Sequence, residues 1–148
     1  RLYYGGCSEP VGRDGKKRWR TLPGVATLRR DGFTSLSVHD KNQPGTLQTI
    51  PFDLPRSRAL YVNVKCPRGA TLRAELADAA TGKPIPGFAI ADSHSLQGDH
   101  VRALVTWKLH NTLPDKTIAA AVENVVLRFE IQDARGEAKL YSFWFDEK

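Results

Sequence analysis

The 148-residue sequence predicts an all-β domain, an antiparallel β-sandwich with jelly-roll-like connections and about ten strands. Three observations carry this. Short runs alternate apolar and polar residues with a period of two. Turn signals built on Gly, Pro, Asn and Asp separate them every 8–12 residues or so. Only one segment, Pro114–Glu123 (PDKTIAAAVE), has helical composition, and it is too short to expect more than a single turn or an irregular crossing.

Taken in order, RLYYGG at the start reads as a short strand ending on a glycine pair. Residues 7–24 combine glycines, prolines and the cluster Lys16-Lys17-Arg18-Trp19-Arg20, a loop or linker composition. The expected organisation is therefore residues 1–24 as the end of a preceding domain plus a basic linker, and residues 25–148 as the sandwich. Val25–Arg30 and Phe33–Val38 flank Asp31-Gly32, a hairpin signal. Thr46–Ile50 is a further strand, and Pro51 and Pro55 exclude a central strand between them.

Ala59–Cys66 alternates cleanly, with Leu60, Val62, Val64 and Cys66 inward and Tyr61, Asn63 and Lys65 outward. In Thr71–Asp78 the inward set is Leu72, Ala74 and Leu76, with Arg73 and Glu75 outward. Gly87–Ala91 reads as a short strand and Asp92–His100 as a polar loop. Val101–Trp107 places Val101, Ala103, Val105 and Trp107 on the core side. Val125–Gln132 turns Val125, Leu127, Phe129 and Ile131 inward. In Leu140–Phe145, Tyr141, Phe143 and Phe145 share one face and Trp144 takes the other.

Net charge is +6, and its distribution is uneven. The first 30 residues hold eight Lys/Arg against two acids, while the rest of the chain holds fourteen of each. The excess reads as a solvated basic segment, so nucleic acid is not the expected partner. No apolar run reaches the roughly 20 residues of a membrane helix, so no membrane partner is expected. The absence of Met and the opening on Arg1 within a strand pattern suggest a segment of a longer chain. Cys7 and Cys66 have no zinc-type spacing; Cys66 reads as a small buried hydrophobe, or as half of a Cys7–Cys66 disulfide in a secreted protein.

The residues that could carry chemistry are few. There is no nucleophile elbow, phosphate loop or special carboxylate pair, so the segment is not expected to be an enzyme. Four histidines, His39, His94, His100 and His110, fall in loops or at strand ends. Asp92, His94, Asp99 and His100 share one loop and offer a candidate site for a structural divalent cation; hydrogen-bonded loop scaffolding is the alternative. No other cofactor is indicated. The outward aromatics Tyr61 and Trp144 could stack on the C–H face of a sugar ring, with Asn63, Arg73, Glu75 and Arg128 hydrogen-bonding hydroxyls. Packing of these aromatics on a loop or a neighbouring domain is the competing reading.

Three strings, ATLRRDGFTSL (Ala26–Leu36), GKPIPGFAIADSHSLQGDHVRALVTW (Gly82–Trp107) and VVLRFEIQDARGEAKLYSFWF (Val125–Phe145), resemble the C-terminal β-sandwich of glycoside hydrolase family 32-like bacterial proteins, in which a five-bladed β-propeller precedes the sandwich. RLYYGG then resembles the propeller's last strand. The insert ARGEA (Ala134–Ala138) and the basic segment depart from that pattern. The resemblance implies a secreted, non-catalytic module beside a catalytic domain of the same parent chain, with carbohydrate as the partner. The family's catalytic motifs lie on the propeller and none occurs here. A purely structural accessory domain and a free-standing lectin-like protein are the alternatives.

Overall fold

The computed structural model describes residues 1–8, 14–16, 20–115 and 122–147. Among the described residues nine strands run antiparallel wherever they pair, and the only helical element is a 3-10 turn at Ile90–Asp92. The chain separates into two compact units, Arg1–Phe33 and Thr34–Lys148. The division falls after Phe33, not at Gly24.

The first unit is a two-stranded ribbon. Strand β1 (Leu2–Ser8) pairs with β2 (Arg20–Ala26) along its whole length. Part of the expected 7–24 loop is thus strand, and the Asp31-Gly32 hairpin does not form. The reason is competition for backbone partners: Ala26 and Val25 are already paired with Leu2 and Tyr3. A turn closes instead through Gly32 N–H donating to Arg29 C=O at 3.0 Å. Pro23 is tolerated because each strand of a two-stranded ribbon is an edge. Gly24 lets the Tyr4 ring lie over the partner strand, since a Cβ there would lie 2.5 Å from the Tyr4 ring and push it aside. Lys17–Trp19 lie outside the described residues.

The second unit is a β-sandwich. One sheet has β8 (Asn124–Gln132) at its centre, with β6 (Thr71–Asp78) on one side and β3 (Gly45–Gln48) and β4 (Phe52–Asp53) on the other. Strands β3 and β4 interrupt one edge at Thr49–Pro51, where Thr49 Oγ1 accepts the Leu127 N–H at 3.1 Å. The second sheet has the order β7 (Gly98–Leu104), β5 (Ala59–Cys66), β9 (Lys139–Asp146). The expected inward residues of β5, β6 and β8 meet between the sheets as one core. Phe52 and Phe129 from the first sheet meet Phe145 and Phe143 from the second at 5.6 and 5.4 Å between centroids.

Trp107 is buried as expected, its indole N–H donating to Ala74 C=O at 3.0 Å and its ring 5.0 Å from Phe88. Gly87–Ala91 is not a strand. Pro86 and Gly87 are the central residues of a turn closed by Phe88 N–H donating to Ile85 C=O at 2.9 Å; Gly87 has φ +82°, and a Cβ there would lie 2.9 Å from His110 Nε2.

Two expected inward residues leave the core at register shifts. On β7 the pairing steps from Val62↔Ala103 to Val64↔His100, and Val101 becomes exposed. On β9 it steps from Asn63↔Ser142 to Val64↔Leu140, so Leu140 takes the buried place expected for Tyr141. An extra residue on one strand reverses the faces that follow it. The expected turn or crossing at Pro114–Glu123 falls largely on residues outside those described.

Cys66 is a free, buried thiol, as its inward parity predicts, while the Cys7 side chain lies outside those described. Burial, and next the negative charge of Asp133, push the Cys66 pKa up to about 11. Burial also pushes the Asp133 carboxyl up, but the backbone N–H groups of Ala138, Arg135, Glu137 and Gly136 together hold it below its ordinary value. These bonds organise the turn between β8 and β9.

Replacing Trp107 with Phe strands the Ala74 carbonyl and leaves a void, and is expected to cost about 3 kcal/mol in a urea unfolding experiment. Asp133→Asn is expected to cost about 2 kcal/mol at neutral pH, since charge-assisted bonds are lost. A depressed carboxyl contributes stability above its unfolded value, near 4, and loses it as pH falls through the folded value. The gap between wild type and Asp133→Asn should therefore narrow below about pH 4, as followed by thermal melts across pH.

Candidate functional site

The residues expected to form one sugar-binding platform divide between the two sheets. Tyr61 and Trp144 come together. They are register partners on β5 and β9, on the outer face of the β7–β5–β9 sheet. Their rings stack with centroids 5.9 Å apart and planes inclined by 20°, both half-buried. Adjacent strands bring directly opposed side chains to within contact distance, which is why this pair forms.

Two residues outside the expected set join them. Arg102 places its guanidinium 4.1 Å from the Tyr61 ring centre and 6.0 Å from that of Trp144. It also donates from Nη2 to Asp146 Oδ2 at 3.1 Å. Guanidinium over an aromatic face is a favourable cation–π arrangement. Arg102 reaches the rings because β7 pairs Leu104 with Tyr61, and the outward position before Leu104 is Arg102. Its outward parity was readable in the sequence; its neighbourhood to Tyr61 depended on the pairing of β7 with β5.

Asn63 is fully buried, although it has the outward parity of Tyr61. It lies on the central strand between β7 and β9 and is not available to a ligand. This corrects the expectation that it contacts hydroxyls.

Arg73, Glu75 and Arg128 lie on the other sheet, across the sandwich core from the aromatic pair, and all three are engaged. Arg128 Nη1 donates to Glu75 Oε1 at 2.8 Å and to Gly82 C=O at 3.2 Å, while its Nε donates to Gln48 Oε1 at 2.7 Å. Glu75, only 8% exposed, also accepts the Ile90 N–H at 3.2 Å. Arg73 Nε donates to Ser95 Oγ at 2.8 Å. These residues fasten the segment that follows β6 onto the sheet, and they do not share a surface with Tyr61 and Trp144.

The candidate cation ligands do not converge. Asp92 pairs with Lys108 at 3.2 Å, His94 Nδ1 shares a hydrogen bond with Thr106 Oγ1 at 2.9 Å, and His100 Nε2 donates to Gln97 C=O at 2.7 Å. Asp99 stands opposite Lys65 in the β5–β7 register. Asp92 ends the 3-10 turn and His94 follows it, whereas Asp99 and His100 lie on β7, so the supposed single loop is two elements. Among the described residues no three His, Cys, Asp or Glu side chains are grouped to hold a metal ion. Of the other histidines, His39 is exposed and His110 stacks on Phe88 with centroids 4.7 Å apart. Among the described residues no helix is long and apolar enough to cross a membrane.

The Glu75–Arg128 pair allows a direct check of its structural role. Arg128→Ala leaves a buried carboxylate with one backbone donor, at an expected cost of about 2 kcal/mol after allowing for the partial exposure of Arg128. Adding Glu75→Gln should recover much of that loss in chemical denaturation.

Comparison of the chain with protein-family models, with curated proteins and with solved structures returned no match.

Proposed function

We propose that the Thr34–Lys148 unit is a non-catalytic β-sandwich module that binds carbohydrate on the outer face of its β7–β5–β9 sheet. The observation that carries this reading is the accessible aromatic pair, Tyr61 and Trp144, with a polar border of Arg102 and Asp146. Sugar rings offer flat C–H faces to aromatic rings and hydroxyls to ionic side chains, so a pair of rings beside an arginine and a carboxylate suits both. In this reading the module is secreted and accompanies a catalytic domain of a glycoside-hydrolase-like parent chain, as the resemblance of its three strings implies, and its jelly-roll-like connectivity follows that family.

One observation favours a second reading, a structural domain without a ligand. Arg102 already occupies a face of Tyr61, so the cluster is partly self-satisfied. A glycan array separates the two. The first reading expects binding that falls about ten-fold or more in Trp144→Ala, provided that circular dichroism shows the variant folded. Unchanged binding in that variant removes this face as the site. A blank array with folded wild-type protein leaves the structural domain.

A further inference from the structure

We infer that the glycan taken by this face is an anionic oligosaccharide, bearing carboxylate or sulfate groups held by Lys65 and Lys139. The inference rests on the carbohydrate reading above and adds a substrate class to it.

Lys65 and Lys139 are register partners on β5 and β9. Both are exposed, and neither takes part in an ion pair among the described residues. Like charges directly opposite one another on adjacent strands repel, so the arrangement itself is unfavourable. An anion between the two ammonium groups reverses the sign of the interaction. Asp99 faces Lys65 from the β7 side, so this row of the sheet carries two cations and one anion. Arg102 is committed to Asp146 and the aromatic rings and is not the anion's anchor.

The spacing sets the size of the ligand. Tyr61 and Lys65 lie four residues apart on the central strand, about 13 Å at the rise of an extended chain. Between them Asn63 is buried and offers no contact. A single sugar cannot touch both ends, whereas an oligosaccharide running along β5 places an uncharged ring face on Trp144 and its charged groups at the lysines. Of the two cationic groups along β5, only the lysine row lacks a carboxylate for every cation.

The test uses the full chain and three oligosaccharides of equal length: a polyuronate, a sulfated and a neutral one, titrated at low and high salt. Wild type should bind a charged oligosaccharide more tightly than the neutral one, and binding should weaken with salt. Lys65→Gln/Lys139→Gln should weaken the charged ligand about ten-fold and leave the neutral one unchanged. Lys65→Arg/Lys139→Arg should retain binding, which guards against a merely structural effect. Preference for the uronate or for the sulfate identifies the source of the charge. Equal binding of neutral and charged ligands, unaffected by the lysine substitutions, overturns the inference and leaves the carbohydrate reading standing. No binding of any of the three by folded protein overturns both. A single-stranded oligonucleotide that binds as tightly as the best sugar, and is weakened equally by the lysine substitutions, overturns the inference in favour of a general polyanion surface.

Discussion

The outer edge of β6 is the constraint on which much of the sandwich depends. Its other edge pairs with β8, but this one faces Gly82–Leu96, which runs without forming a strand. Each outward-pointing backbone group must then be satisfied separately. Leu72 exchanges two hydrogen bonds with Leu96; Ala74 gives its N–H to Ser93 Oγ and accepts from the Trp107 indole; Leu76 gives its N–H to Phe88 C=O and accepts from Ile85; Asp78 bonds Lys83 and Gly82. A buried unpaired backbone group costs about as much as a lost hydrogen bond, so this sequence of unlike partners replaces an entire strand. Trp107 is the member that comes from farthest along the chain, and it joins the covering segment to the core.

The same covering segment explains the fate of the polar residues on that sheet. Arg73, Glu75 and Arg128 point away from the core, yet each is occupied with holding Ser95, Ile90 or Gly82. On the opposite sheet Tyr61 and Trp144 stack on each other beside Arg102, and those rings retain accessible surface. Which sheet keeps accessible aromatic rings on its outer face is thus decided by where a loop had to be fastened. Outward polarity alone did not distinguish the two.

Periodicity made most of the core legible. Leu60, Val62, Val64 and Cys66, then Leu72, Ala74 and Leu76, and Val125, Leu127, Phe129 and Ile131 could all be assigned from alternation, because a half-buried strand imposes a period of two whatever it pairs with. Alternation does not reveal pairing. Arg102 beside Tyr61, and the separation of Glu75 and Arg128 from Trp144, follow from strand order, which no local pattern encodes. Val101 and Tyr141 failed for a related reason: each lies at a register shift that its own strand's alternation does not announce. In the first unit, Gly5, Gly6 and Pro23 obscured a ribbon whose pairing depends on backbone rather than on side-chain pattern.

Both register shifts occur at the same height, flanking Asn63 and Val64 on the central strand. Bulges increase the local twist of a strand, and here they act on the two outer strands of one sheet together. A flat outer strand is a template on which another molecule's strand can pair, and repeated pairing leads to fibres. The bulges that displace Val101 and Tyr141 from the core therefore also make the margins of this sheet poorer templates for an added strand.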